Sequence, residues 1–391
     1  FPAPSAVLKL LPIIDNHAHS LASNFLAAGE ADFFSFLSES QHLQFRSEMR
    51  HSLNGMLFEK ALLQHAGVDN LSAYLAYRQQ LGLASVSRLF ADVCIKAVLL
   101  DYGFGHDLLS LDDFALAAGV KVFGILRLES LFEELLRQYD QPGTLESALE
   151  RHLAESGCVA LKTICAYRGG LSLLSQLTEE NSQPETEVDE DESFQECRRT
   201  VLNSGRIEGR GYYLRLLALA FRLASRRGLP VQVHSGLGDD DALLQDANPL
   251  QAQSLFRRNN INGEPLPAFV LLHCYPFHKE AAYLSSIYEK VYFDLSLVNF
   301  LSAPSFSSIF QEALALAPYR KMLTGTDGHS QPESFWWAAG STRQALASLY
   351  RCCKEDGLPI SSEAIEKVER SIFYDNALRL YNLDLPPLPE T

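Results

Sequence analysis

Eight short apolar runs, each followed by polar residues and then a helix-like stretch, limit what this chain can fold into more than any other feature. They are Pro12–His19, Cys94–Leu100 (CIKAVLL), Val120–Leu126 (VKVFGIL), Cys158–Thr163 (CVALKT), Leu229–His234 (LPVQVH), Phe269–His273 (FVLLH), Val291–Leu295 (VYFDL) and Lys321–Asp327 (KMLTGTD). Strands buried on both faces read as continuous apolar runs, and strands separated by helices pair in parallel. Eight such units predict an α/β fold of the closed (β/α)8, or TIM-barrel, type in one domain over residues 1–391. An open doubly wound sheet is the competing arrangement, but no GxGxxG follows any of the runs.

Two intervals are too long for simple crossovers. Residues 21–93 hold amphipathic stretches such as LFEKALLQHAG and LSAYLAYRQQLG, which predict a helical insertion after the first strand. Residues 171–228 contain NSQPETEVDEDESFQE at 181–196, whose single aliphatic residue is Val188. That composition predicts an acidic flexible loop over 178–199. After it, GYYLRLLALAFRLASRRG reads as an apolar helix closed by basic residues and Gly228.

Barrel enzymes carry their reactive groups where strands end at the C-terminal face. Here the runs end in His17-Ala-His19, Asp101, Arg127 with Glu129, Lys162, His234, His273, Asp294 and Asp327. Side chains two apart on a strand share a side, so His17 and His19 can grip one ion. Alone, His234 or His273 reads as a core histidine and Asp327, in GTDG, as a turn residue. At the ends of strands one, five, six and eight together, they form a ligand set for a borderline divalent metal.

This pattern, HxH, then Lys, His, His and Asp at successive strand ends, resembles the amidohydrolase superfamily. The stretches IDNHAH, LKTICAYRGGL, VQVHSGLGD, LLHCYPFHKEAAYL and TGTDGHSQPESFWWA are similar to the amidohydrolase domain that precedes a glutamine-synthetase-like domain in FluG-like fungal and nodulin-like plant fusions. The resemblance runs over residues 10–385 and implies metal binding by His17, His19 and His234. It places Asp327 beside a metal-activated water as the proton-transfer residue, and gives His273 a second metal site or the substrate carbonyl. Lys162 is implied as a carboxylated bridge between two metals or, unmodified, as a partner for a substrate carboxylate. Arg127 and Arg168 are candidates for holding that carboxylate through a bidentate fork, with Glu129 the obvious salt-bridge alternative for Arg127. Tyr167 would line the same pocket.

A net charge of −15 disfavours nucleic acid as a partner, because phosphates need basic footprints. Seven scattered cysteines, without a spacing ladder, fit a reduced cytoplasmic protein. No signal peptide or membrane span is visible, although a start at Phe1 rather than Met points to an upstream segment. The expected partner is a small molecule, with a homo-oligomer compatible with the composition. Three imidazoles favour Zn2+ over Mn2+ or Fe, with one or two ions bound. The function expected is hydrolysis of a C–N bond in a small, carboxylate-bearing amide such as a γ-glutamyl or N-acyl amino acid compound. Non-oxidative decarboxylation, or another lyase reaction, on the same site is the alternative. A non-catalytic assembly module would need none of these strand-end residues.

Overall fold

A computed structural model describes residues 10–102, 105, 107–177, 187–207, 210–258, 260–261 and 263–389. Seven of the eight apolar runs form one sheet whose spatial order follows chain order. Its strands are β1 (Ile13–Ala18), β2 (Ile95–Asp101), β3 (Lys121–Arg127), β4 (Ala160–Thr163), β5 (Val231–Ser235), β6 (Phe269–His273) and β7 (Val291–Phe293). Each neighbouring pair is parallel. Strands added always in parallel, always beside the last, and always twisted in one sense curl the sheet round on itself.

The two edges of this curled sheet meet the same segment. Leu323 N donates to Phe293 O of β7 (2.9 Å), and Asn16 N of β1 donates to Thr324 O (2.8 Å). Further on, Asp327 N donates to His17 O (2.9 Å) and His19 N to Gly328 O (2.8 Å). The eighth run therefore lies between β7 and β1 without being a ladder strand. The reason is local. Thr326 N gives its hydrogen to the Asp15 side chain (2.8 Å) instead of a carbonyl, and Asp327 takes a left-handed φ of 55°, which breaks the extended repeat.

The apolar runs lack alternation because both faces of the sheet are covered. Ile14, Ala97, Leu99, Ile125, Val270 and Leu272 fill the concave side with Tyr374 and Tyr381. Their strand neighbours Ile13, Val98, Leu100, Leu161, Val233 and Leu271 face the helices in the larger core. Helices Leu53–Ala66, Leu71–Leu81 and Ala84–Asp92 lie between β1 and β2. Phe58 of the first packs on Phe33 (6.0 Å) and on Trp337 (5.5 Å), a residue of the long helix Pro332–Glu355 that follows Asp327.

The acidic tract departs from expectation. Residues 178–186 lie outside the described residues, but Glu187–Ser204 is a helix, so the flexible-loop reading of 178–199 is corrected over 187–199. Phe194, Cys197 and Val201 are buried at 0%, 4% and 1% exposure, an i, i+3, i+7 stripe. Phe194 meets Tyr212 edge-on at 5.0 Å, and Glu190 pairs with Arg215 at 2.8 Å. The acidic tract 181–196 stops one residue short of Cys197, so it holds only the first member of the stripe, Phe194. The helix Gly211–Arg227 then ends at Gly228 in the left-handed region (φ 67°), where a side chain would be strained.

Candidate metal centre

The six residues expected at the metal, His17, His19, Lys162, His234, His273 and Asp327, come together. His17 Nε2 lies 3.2 Å from Asp327 Oδ1 and 2.8 Å from Lys162 Nζ. His19 Nε2 lies 3.4 Å from the same carboxylate oxygen, and His273 Nδ1 lies 3.8 Å from Asp327 Oδ2. The His234 ring stands 4.7 Å from that of His273. A register shift in β1 between Asp15 and Ala18 places the histidine pair here, since an irregularity of this kind re-aims side chains. His17, His273 and Asp327 offer ligand atoms all within 4.8 Å of one another, as do His17, His19 and Asp101.

Charge and burial set the protonation states. Burial pushes the pKa values of His19, His234 and His273 well below that of free imidazole, with the Lys162 charge adding to the effect in each. These rings are therefore neutral at pH 7 and hold lone pairs. Burial opposes ionisation of Asp327 as well, but His273, His17 and His19 hold its carboxyl well below the usual carboxylate range. Asp101 is likewise resisted by burial and then held low by Arg127 and Lys162. Burial lowers Lys162 against the pull of Asp101, 3.4 Å away.

A metal fits these residues. His17 Nδ1 and His234 Nε2 are buried with no hydrogen-bond partner among the described residues, and a buried polar atom left so costs about 1–3 kcal/mol. Neutral imidazoles around an ionised carboxylate suit a borderline divalent cation. An amidohydrolase family model matches residues 142–383, more than half of the chain, and takes in Lys162, His234, His273 and Asp327. The chain belongs to the amidohydrolase family. Protein FluG of Emericella nidulans is 28% identical over 97% of this amidohydrolase, which covers 47% of that protein. The chain thus spans about half the length of the curated relative it matches. A protein from Lactobacillus casei described as a metal-dependent hydrolase superposes with a TM-score of 0.81 at 26% identity, over 95% of each chain. Uronate isomerase of Thermotoga maritima shares the fold at 14% identity and a TM-score of 0.64, over 95% of this chain and 94% of its own.

The other expected residues are placed unevenly in this amidohydrolase. Tyr167 stacks obliquely on His234 at 4.7 Å, against the metal centre. Arg127 turns to Asp101 through Nε (3.0 Å) and Nη2, not to Glu129. Glu129 instead accepts from Thr163, Tyr213 and Ile164 N. Arg168 pairs with Glu133 at 3.3 Å and keeps a buried Nε without a hydrogen-bond partner among the described residues. Two carboxylates carry more than the sequence suggested. Asp101, read only as a strand-end acid, gathers Arg127, Lys162 and His19. Glu39 is a further one: its Oε1 is buried with no hydrogen-bond partner among the described residues, and burial raises its pKa, with His329 opposing and Asp327 and Asp239 adding to the rise. Nothing in SESQHL distinguishes it from a solvated loop residue.

Proposed function

We propose that this amidohydrolase binds one divalent cation, Zn2+ before Mn2+, and hydrolyses the C–N bond of a small carboxylate-bearing amide. The convergence of His17, His273 and Asp327 within 4.8 Å, beside imidazole nitrogens that no group among the described residues satisfies, carries this reading. In it, segment 322–328 closes the barrel in the place of an eighth strand, and the helices between β1 and β2 are an insertion that shapes specificity. His17, His19, His234 and Asp327 hold the cation, and His273 either joins them as a ligand or faces the substrate carbonyl. When bound, such a cation acts as a Lewis acid and makes water acidic enough to ionise near neutral pH. Asp327 takes a proton from the attacking water and delivers it to the nitrogen as the C–N bond breaks. Arg168, with its unsatisfied Nε, holds the substrate carboxylate, while Arg127 is engaged by Asp101, and Tyr167 walls the pocket.

Lys162 acts as an unmodified ammonium in this scheme, supported by its contact with Asp101; a carboxylated, bridging Lys162 would require two ions. Metal analysis should give one ion per chain. Chelation should abolish amine release from an amide panel and Zn2+ should restore it, whereas activity that survives chelation would refute the proposal. The single-ion site also supports a second reading, non-oxidative decarboxylation, which the same panel with aromatic and aliphatic acids separates by release of CO2 in place of amine. Seven free thiols and the absence of any membrane-crossing helix among the described residues support a cytoplasmic setting with small-molecule partners.

Glu39 completes the pocket. Its buried Oε1 has no hydrogen-bond partner among the described residues, so an N–H donor on the substrate is the group that satisfies it. Glu39→Gln should raise KM about tenfold, the scale of a hydrogen bond to a charged group. Steady-state kinetics showing an unchanged KM would remove Glu39 from the site.

A further inference from the structure

Beneath the metal centre lies a chain of polar side chains that ligate nothing. Asp294, fully buried just after β7, accepts four hydrogen bonds. Asn16 Nδ2 donates to its Oδ2 (2.6 Å). Its Oδ1 takes the backbone N–H groups of His273 (2.8 Å) and Ser296 (3.1 Å) and the Ser296 hydroxyl (2.7 Å). Asn16 is itself fixed, accepting from the Tyr381 hydroxyl at its side chain and from Gln232 Nε2 at its carbonyl (2.8 Å).

Hydrogen-bond direction follows from this crowding. Two backbone N–H groups can only donate, so Asp294 Oδ1 is an acceptor there and the Ser296 proton points at it. If that proton turned to the imidazole, two bare oxygens would face each other at 2.7 Å. Ser296 Oγ also lies 2.8 Å from His273 Nδ1. With its own hydrogen committed, the hydroxyl accepts, and Nδ1 must carry a hydrogen. The backbone of His273 is held by the same carboxylate. Its φ of 67° lies in the left-handed region that non-glycine residues rarely adopt without support.

We infer that Asp294 and Ser296 are positioning residues that clamp His273 at backbone and ring and fix it as the Nδ1–H tautomer. Its Nε2 then presents a lone pair. A lone pair can bind a cation but cannot donate a hydrogen bond to a substrate carbonyl, so of the two roles open to His273 the clamp selects ligation. The ligation half rests on the metal-dependent reading above; the tautomer half does not.

Metal-free protein labelled with 15N-histidine tests the tautomer, with the His273 signals assigned by their loss in His273→Gln. Wild type should show a protonated Nδ1 and a bare Nε2; the opposite tautomer would overturn the inference. Ser296→Ala should lose that preference and weaken Zn2+ binding about 10–100-fold in a competition titration with a chromogenic chelator. Thermal melts identify any variant that fails to fold, in which case wild-type labelling alone decides. A folded Ser296→Ala protein with wild-type tautomer and wild-type Zn2+ affinity would overturn the clamp. Wild-type protein that binds no Zn2+ would instead sink the metal-dependent reading, leaving the tautomer result to stand by itself.

Discussion

Replacing Asp327 by asparagine should lower kcat by about 10²–10⁴-fold, the usual worth of a positioned proton-transfer group. Asparagine keeps the shape of the side chain and can still bond to His17, 3.2 Å away, but it cannot accept a proton from water. The melting temperature should therefore hold while turnover collapses. The pH dependence follows from the sign of the shift. His273, His17 and His19 hold the Asp327 carboxyl well below its ordinary range against the effect of burial. Its basic form thus persists as pH falls, and the wild-type profile should show no loss of activity from Asp327 protonation between pH 5 and 8. An Asp327→Asn enzyme within tenfold of wild type would remove this residue from the chemistry.

The centre was legible because metal ligation restricts residue type. Only a few side chains bind a borderline cation, and a barrel strand can present them only at its end, so His17-Ala-His19, His234, His273 and Asp327 stand out against apolar runs. The sheet was legible for a similar reason: double-sided burial leaves no alternation, and FVLLH became β6 residue for residue. Ion-pair partners were not legible. Arg127 chose Asp101 over Glu129 because Asp101 ends the neighbouring strand β2, in register with Ile125 of β3, while Glu129 has turned away into a helix to meet Thr163 and Tyr213. Sequence distance favours Glu129; sheet neighbourhood favours Asp101. Nor could a composition window see the helix Glu187–Ser204, whose apolar stripe straddles the end of the acidic tract. The Ser296 clamp was equally silent, since an ordinary serine after a strand carries no signal until its two partners are placed.

Arg78→Met should cost about 3–5 kcal/mol, the penalty for leaving one member of a buried ion pair alone. Arg78, 1% exposed, reaches Glu333 Oε1 at 3.1 Å and Oε2 at 3.2 Å, Gln331 at 2.8 Å and the Phe25 carbonyl at 2.8 Å. Tyr74 adds a hydrogen bond to Glu333 at 2.6 Å. These contacts tie the helix Leu71–Leu81 to the first turn of Pro332–Glu355, where Glu333 also favours the positive end of the helix dipole. Methionine removes the cation but leaves Glu333, fully buried, with the Tyr74 hydroxyl as its remaining side-chain donor among the described residues. Chemical denaturation should register the loss, and a change under about 1 kcal/mol would show the pair to be dispensable. The double variant Arg78→Met/Glu333→Leu should recover much of it, because an apolar pair of similar volume needs no charge compensation. Glu333 lies six residues beyond Asp327 on the same connection, so the single variant should also lower kcat where the double does not. That coupling separates an anchor that aligns the Asp327 loop from one that merely stabilises the helices between β1 and β2.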